Sequence, residues 1–131
     1  MPVFTRWRRL SWAERRVVVE ALLVLPWAKM AVHVVRVDRL VRAVVRRPVQ
    51  ADVSGARVAE LVCRVAAHTR AFTCLDAAVA ASWVMRRRGW TPVLCLGTAV
   101  KPDRFTAHAW VELDGRAVTP DDEHIPIWRS R

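Results

Sequence analysis

Several classes of protein are excluded by what this chain does not contain. Its three cysteines, Cys63, Cys74 and Cys95, include no C-x-x-C pair, so no structural zinc site is expected. An odd count argues against a disulfide-stapled mini-protein. With no signal peptide ahead of these cysteines, a reducing cytoplasm is the expected setting. Internal repeats and low-complexity tracts are missing, and lysine is nearly so. Only Lys29 and Lys101 are lysines; the other 20 of the 22 basic residues are arginines. An uninterrupted membrane-length apolar run is missing too. The stretch from Val17 to Val35 comes close, but Glu20, Pro26, Lys29 and His33 break it into soluble or peripheral helices.

What is present suffices for one domain. At 131 residues and 53% hydrophobic, the chain is too short for two cores and too apolar to be disordered. The formal charge of +10 has the sign of a nucleic-acid binder. The arginine skew, alongside abundant Val and Ala, reads as much as compositional bias, and no nucleic acid is expected. The charge is also uneven. Residues 1–50 carry 11 basic and 3 acidic side chains (+8), whereas residues 51–131 carry 11 and 9 (+2). Whatever the positive field does belongs to the first third.

Periodicity places the elements. Ser11-Trp12-Ala13-Glu14 has the form of a capping box opening a helix from Trp12 to Leu25, which Pro26 ends or kinks. A second helical stretch, from about Trp27 to Arg46, sets Val34, Val37, Val41 and Val45 on one stripe. Arg36, Arg39, Arg42 and Arg46 lie on a neighbouring stripe. Pro48 to Gly55 reads as a hinge, followed by a helix from about Ala56 to Thr69 that buries Val58, Leu61, Val62, Val65 and Ala66. A further helix runs to Arg88 and is capped by Gly89, with Arg86, Arg87 and Arg88 as a solvated end. Beyond Gly89 the period becomes extended: Trp90 to Val100, a turn at Lys101 to Arg104, then Ala107 to Leu113 and Arg116 to Thr119 around the hairpin signal Asp114-Gly115. The last ten residues show no pattern. Helices followed by an antiparallel sheet make the class α+β. Residues 1–50 form a basic helical front segment of the same compact unit, and residues 51–131 form its core.

Three elements carry chemistry. In Thr73-Cys74-Leu75-Asp76, Thr73 is a good N-cap and Asp76 completes a capping box, which puts Cys74 in the first turn. There the helix dipole and free amides favour a thiolate and offer donors to an oxyanion. The bland alternative is a small buried hydrophobe. In Ala107-His108-Ala109-Trp110-Val111-Glu112, strand alternation puts His108, Trp110 and Glu112 on one face. Trp110 either walls a site or fills core, and Glu112, further along the same strand, is too far to orient His108 directly. A two-residue turn at Asp114-Gly115 pairs Leu113 with Arg116 and Glu112 with Ala117. Continued, it sets His108 opposite Asp121, whose carboxylate would fix the imidazole tautomer. Pro120 interrupts that ladder, so Asp122 is the substitute. Cys63 and Cys95 read as core thiols, Trp83 and Trp90 as packing, and His33, His68 and His124 as surface or capping residues.

A cysteine at a helix start, a helix ending in Arg86-Arg87-Arg88-Gly89, a strand, then H-A-W-V-E, Asp-Gly and a following acid resemble the transglutaminase-like cysteine hydrolases. Within them, the resemblance is to the leader peptidases of lasso-peptide biosynthesis, the protease half of the split B protein. It rests on residues 73–122, and less specifically on the basic helical front end. The resemblance implies a papain-like core in which a nucleophile-bearing helix packs on a small antiparallel sheet. It implies Cys74 as nucleophile, His108 as base and Asp121 or Asp122 as acid, with Thr73 and Trp110 lining the substrate site and no metal or other cofactor. The implied partners are the precursor peptide, a small leader-binding protein (a recognition element for such precursors) and an ATP-dependent lasso cyclase. The front-end arginines would dock that leader-binding partner or an acidic leader, touch a membrane surface peripherally, or serve solubility alone. Two other readings stand beside this one: a transglutaminase-like acyltransferase or deamidase, and a non-catalytic basic protein-binding module.

Overall fold

The computed structural model describes residues 7–34, 53–69, 71–101, 104–118 and 125–129. Ser11 opens α1 (Trp12–Val34) by the exchange its spacing anticipates. Its backbone N–H donates to Glu14 Oε2 at 3.0 Å, and the Glu14 N–H donates to Ser11 Oγ at 3.2 Å. The second Glu14 oxygen accepts from Arg57 Nε at 2.8 Å, and this contact comes first among those holding the Glu14 carboxyl below its usual range. Arg57 belongs to α2 (Gly55–Thr69), whose N-cap is Ser54: its Oγ accepts from the Arg57 N–H at 3.3 Å. α3 (Cys74–Arg87) follows.

Pro26 does not end α1, and the two-helix expectation gives way to one helix running through it to Val34. An interior proline costs about 3 kcal/mol, because it removes one hydrogen bond and crowds the carbonyl four residues back. Here that carbonyl belongs to Leu22, and both Leu22 and Pro26 face solvent, where water can take the bond. Val17, Ala21, Val24, Leu25 and Ala28 straddle the proline on a single buried stripe, so packing against α3 and α2 holds both halves in line. The later part of the second helical stretch, with Val37, Val41, Val45 and Arg36, Arg39, Arg42 and Arg46, lies outside the described residues. So does the Pro48 end of the hinge.

The arginine run at the end of α3 is not a freely solvated end: Arg88 is buried and Arg86 and Arg87 are half-buried. Gly89, at φ +84°, terminates the helix in a Schellman motif: its N–H donates to Arg86 O and the Trp90 N–H to Met85 O, both at 3.1 Å. Arg87 and Arg88 then fork onto Glu20 of α1. Arg88 Nη2 donates to Glu20 Oε2 at 2.6 Å and Arg87 Nη1 to Glu20 Oε1, with the Arg88 side chain only 1% exposed. Glu20, which reads in sequence as a break in an apolar run, is their part-buried counter-charge.

The sheet runs β3-β2-β1-β4, all neighbours antiparallel, with β1 (Val93–Lys101), β2 (Arg104–Leu113), β3 (Arg116–Ala117) and β4 (Ile125–Arg129). The Asp114-Gly115 turn has both residues at positive φ, +53° and +79°, which matches the twist of a two-residue hairpin. Leu113 pairs with Arg116 and Glu112 with Ala117 as the turn dictates, and the Val118 N–H donates to Val111 O at 2.8 Å. Lys101 pairs with Arg104 across the other turn. β4 corrects the reading of the last ten residues as patternless. It carries Pro126, which a central strand excludes but an edge strand accepts, and the register shifts at Leu96/Gly97 where Pro126 pairs.

α1, α2 and α3 form a layer on one face of the sheet, with α3 in contact with both other helices, β1 and β2. Ala109, Val111, Leu94 and Leu96 belong to the core shared with the helices. Gly55 marks a close approach of helix and sheet: a Cβ there would lie 2.5 Å from Leu113 Cδ2.

Because Arg88 is buried, removing its counter-charge strands a cation. Glu20→Ala should lower unfolding free energy by about 3–5 kcal/mol in urea titrations. A loss within 1 kcal/mol would show the Glu20 pairs to be dispensable.

Candidate functional site

Cys74 is the first residue of α3, and its position is set by the turn before it. The Thr73 N–H donates to Asp76 Oδ2 at 3.0 Å, and Thr73 Oγ1 accepts from the Asp76 N–H at 3.2 Å. Both halves of the capping box are therefore made. The first intrahelical bond runs from the Ala77 N–H to Thr73 O at 3.1 Å, which leaves the amides of Cys74 and Leu75 outside the helix's own ladder. Cys74 is solvent-exposed. Thr73, expected on the substrate wall, spends its hydroxyl on the cap.

Sequence reasoning did not anticipate Lys29. From α1 its Nζ donates to Ala71 O at 2.8 Å and sits 5.9 Å from the Phe72 ring centroid. It thereby ties down the loop that leads into Cys74. No local signal marks this role, because the pair is 42 residues apart.

His108 lies in β2, half-buried and opposite Gly97 of β1. Its ring is near-parallel to that of Trp110, 16° between planes and 6.2 Å between centroids. Trp110 is 2% exposed, and its Nε1 donates to Glu112 Oε1 at 3.3 Å. Arg129 of β4 donates to the same oxygen at 3.4 Å. Cys95, directly opposite Trp110, completes this face.

α3 and β2 are packed together, so Cys74 and His108 ride on contacting elements. The contacting face of β2 is that of Ala109 and Val111, and strand alternation sets His108 on the other side, with Trp110. A meeting of thiol and imidazole would therefore be made around the margin of the layer rather than through it. Asp121, Asp122 and His124 lie outside the described residues. His33 and His68 are exposed in the last turns of α1 and α2. Trp83 and Trp90 are partly buried against the core. Among the described residues, no three His, Cys, Asp or Glu side chains are grouped so as to hold a metal ion. Also among them, no helix is long and apolar enough to cross a membrane.

An exposed cysteine at the capped start of a helix that packs on a small antiparallel sheet defines an α+β class of cysteine-based hydrolases and acyltransferases. The chain belongs to the transglutaminase-like superfamily, whose family model matches residues 5–126. Members of that superfamily are usually cysteine-based enzymes. No curated protein and no solved structure matches the chain.

The three thiols differ in environment. Burial pushes Cys63 up to about 11, and burial also raises Cys95, against the opposing pull of Arg129. A raised thiol pKa means less thiolate at a given pH. At pH 8 a group at about 11 is ionised to about one part in a thousand. Iodoacetamide at pH 8 should therefore modify Cys74 first, and peptide mapping of Cys74→Ala should show total alkylation slowed at least about tenfold. Equal labelling of all three thiols would contradict the burial just described.

Proposed function

We propose that the chain is a cytoplasmic cysteine peptidase that removes the leader from a lasso-peptide precursor. Its catalytic set would be Cys74, His108 and Asp121, with Asp122 as the substitute acid. The observation that carries this reading is the exposed thiol at the first residue of a capped helix packed on the strand that bears His108. Membership of the superfamily supports cysteine chemistry. The narrower assignment rests on the likeness of T-C-L-D, R-R-R-G and H-A-W-V-E to the lasso leader peptidases.

In this mechanism His108 takes the Cys74 proton and the thiolate bonds to the carbonyl carbon at the leader–core junction. The Cys74 and Leu75 amides hold the resulting oxyanion. The C–N bond breaks as His108 returns its proton to the departing core amine, leaving a leader thioester on Cys74. Water, giving a proton to His108, then cleaves the thioester; the leader leaves as a carboxylate and the thiol is restored. The core peptide, with its new amine, passes to an ATP-dependent cyclase. The peptidase itself needs no cofactor.

The small leader-binding partner would dock on α1. Trp12, Val19, Leu22, Leu23, Trp27 and Met30 are all exposed on that helix, on the side away from its buried stripe. A large apolar face left in solvent is the usual mark of an interaction surface. Arg16 and Lys29 are the exposed cations beside it.

One observation favours a second reading, a non-catalytic binding module: His108 shares the pleat of Trp110 and not the face that meets α3. Precursor cleavage by the full chain with its leader-binding partner separates the two. Cys74→Ala should abolish cleavage and His108→Ala should lower it at least about a hundredfold; undiminished cleavage by Cys74→Ala would discard the peptidase. Asp121→Asn should cost more than Asp122→Asn, and the reverse order would show that Asp122 is the acid. An added primary amine captured on the leader would indicate an acyltransferase instead. Leu23→Glu combined with Met30→Glu should weaken partner binding at least about tenfold by calorimetry, without changing the fold. Unchanged affinity would move the docking site off α1.

A further inference from the structure

Glu112 is four residues from His108 along one pleat, about 13 Å, and a carboxylate cannot span that distance to the imidazole. The structure shows what lies between them. The Trp110 indole stands on the same pleat, its ring near-parallel to His108 and its N–H on Glu112 Oε1 at 3.3 Å. Arg129 reaches diagonally from β4, past the small Cys95 side chain, to the same carboxylate oxygen. The side chains thus make a chain of contacts across three strands, from Arg129 through Glu112 and Trp110 to His108.

We propose that Glu112 is a positioning residue for His108, acting through the Trp110 indole, with Arg129 holding Glu112. This deepens the peptidase reading above and rests on it. A buried indole needs a partner for its N–H, and only one of its two flipped orientations aims that N–H at Glu112. Fixing the indole fixes the surface against which the imidazole lies. Without that tether the Trp110 ring loses the bond that aims its N–H, and the ring of His108 loses a neighbour of fixed orientation. A general base that must meet a thiol and then an amine in fixed geometry is sensitive to such loosening. The Arg129–Glu112 pair is largely exposed on the arginine side, so its own contribution to stability is small. Its effect is on where Glu112 points.

The test reads the imidazole directly, by NMR of its ring protons in the full chain without substrate, and reads cleavage separately. In Glu112→Ala, the His108 resonances should shift as the Trp110 ring current above them changes, whereas Glu112→Gln, which keeps an acceptor, should restore them. Trp110→Phe keeps a stacking ring but has no N–H, so it should reproduce the Glu112→Ala spectrum. Adding Glu112→Ala to it should change nothing further. In the cleavage assay kcat should fall about tenfold in Glu112→Ala with KM within about twofold, and Glu112→Gln should recover it. His108 resonances unmoved in Glu112→Ala, or additive effects in the double variant, would overturn the proposal. If the spectra behave as expected while the wild-type chain cleaves nothing, the positioning stands and the peptidase reading fails. A Glu112→Ala chain that does not fold leaves the Glu112→Gln and Trp110→Phe pair to decide, the latter alone moving the His108 resonances.

Discussion

A helix enclosed by its neighbours must be built from small residues, and α3 meets this constraint along most of its length. From Asp76 through Ser82 every residue is buried, and four of those seven are alanine. Small side chains let α1 and α2 approach α3 closely while its remaining surface meets β1 and β2. Residues much larger than alanine at Ala77, Ala78, Ala80 or Ala81 would push these elements apart, since interiors at crystal-like density have no slack. The consequence for chemistry is that only the ends of α3 are open to polar work. Its first residue is the exposed thiol, and its last turn holds the guanidiniums that Glu20 receives.

The scarce acids of the front segment are placed with the same economy. Glu14 closes the cap of α1 and binds Arg57 of α2 with its other oxygen. Glu20 takes both Arg87 and Arg88. Each of these two carboxylates therefore locks α1 to another helix. Lys29 adds a third tie, from α1 to the loop before Cys74. α1 and the nucleophile's turn are thus tied together, and a partner bound to α1 would sit on the element that anchors that turn.

The sheet separates two environments. One face, with Leu94, Leu96, Ala109 and Val111, is continuous with the helical core. The other gathers His108, Trp110, Glu112, Cys95 and Arg129, an aromatic and ionisable set on three strands. The alternation H-A-W-V-E encodes both faces in five residues, with the small and aliphatic members turned to the helices. In the peptidase reading, the base is built on the polar side and served by neighbours on that side, while the nucleophile belongs to the helical side.

Local rules were enough for much of this. The capping boxes at Ser11 and Thr73, the Gly89 terminus, the Asp114-Gly115 turn and its register, and the position of Cys74 at a helix start depend on residues within a few positions of one another. Their energetics are nearly the same in a fragment as in the fold. What tertiary structure alone decided involves distant partners. Pro26 sits inside a helix because packing on both sides of it outweighs a lost bond. Arg88 is buried and Arg87 half-buried because Glu20, 68 and 67 residues away, meets them. β4 exists because β1 offers an edge on which Pro126 costs nothing, and Glu112 reaches Trp110 with Arg129 behind it only once three strands are aligned. Sequence spacing carries information about neighbours along the chain, whereas burial and counter-charge are properties of the folded surroundings, which no short stretch contains.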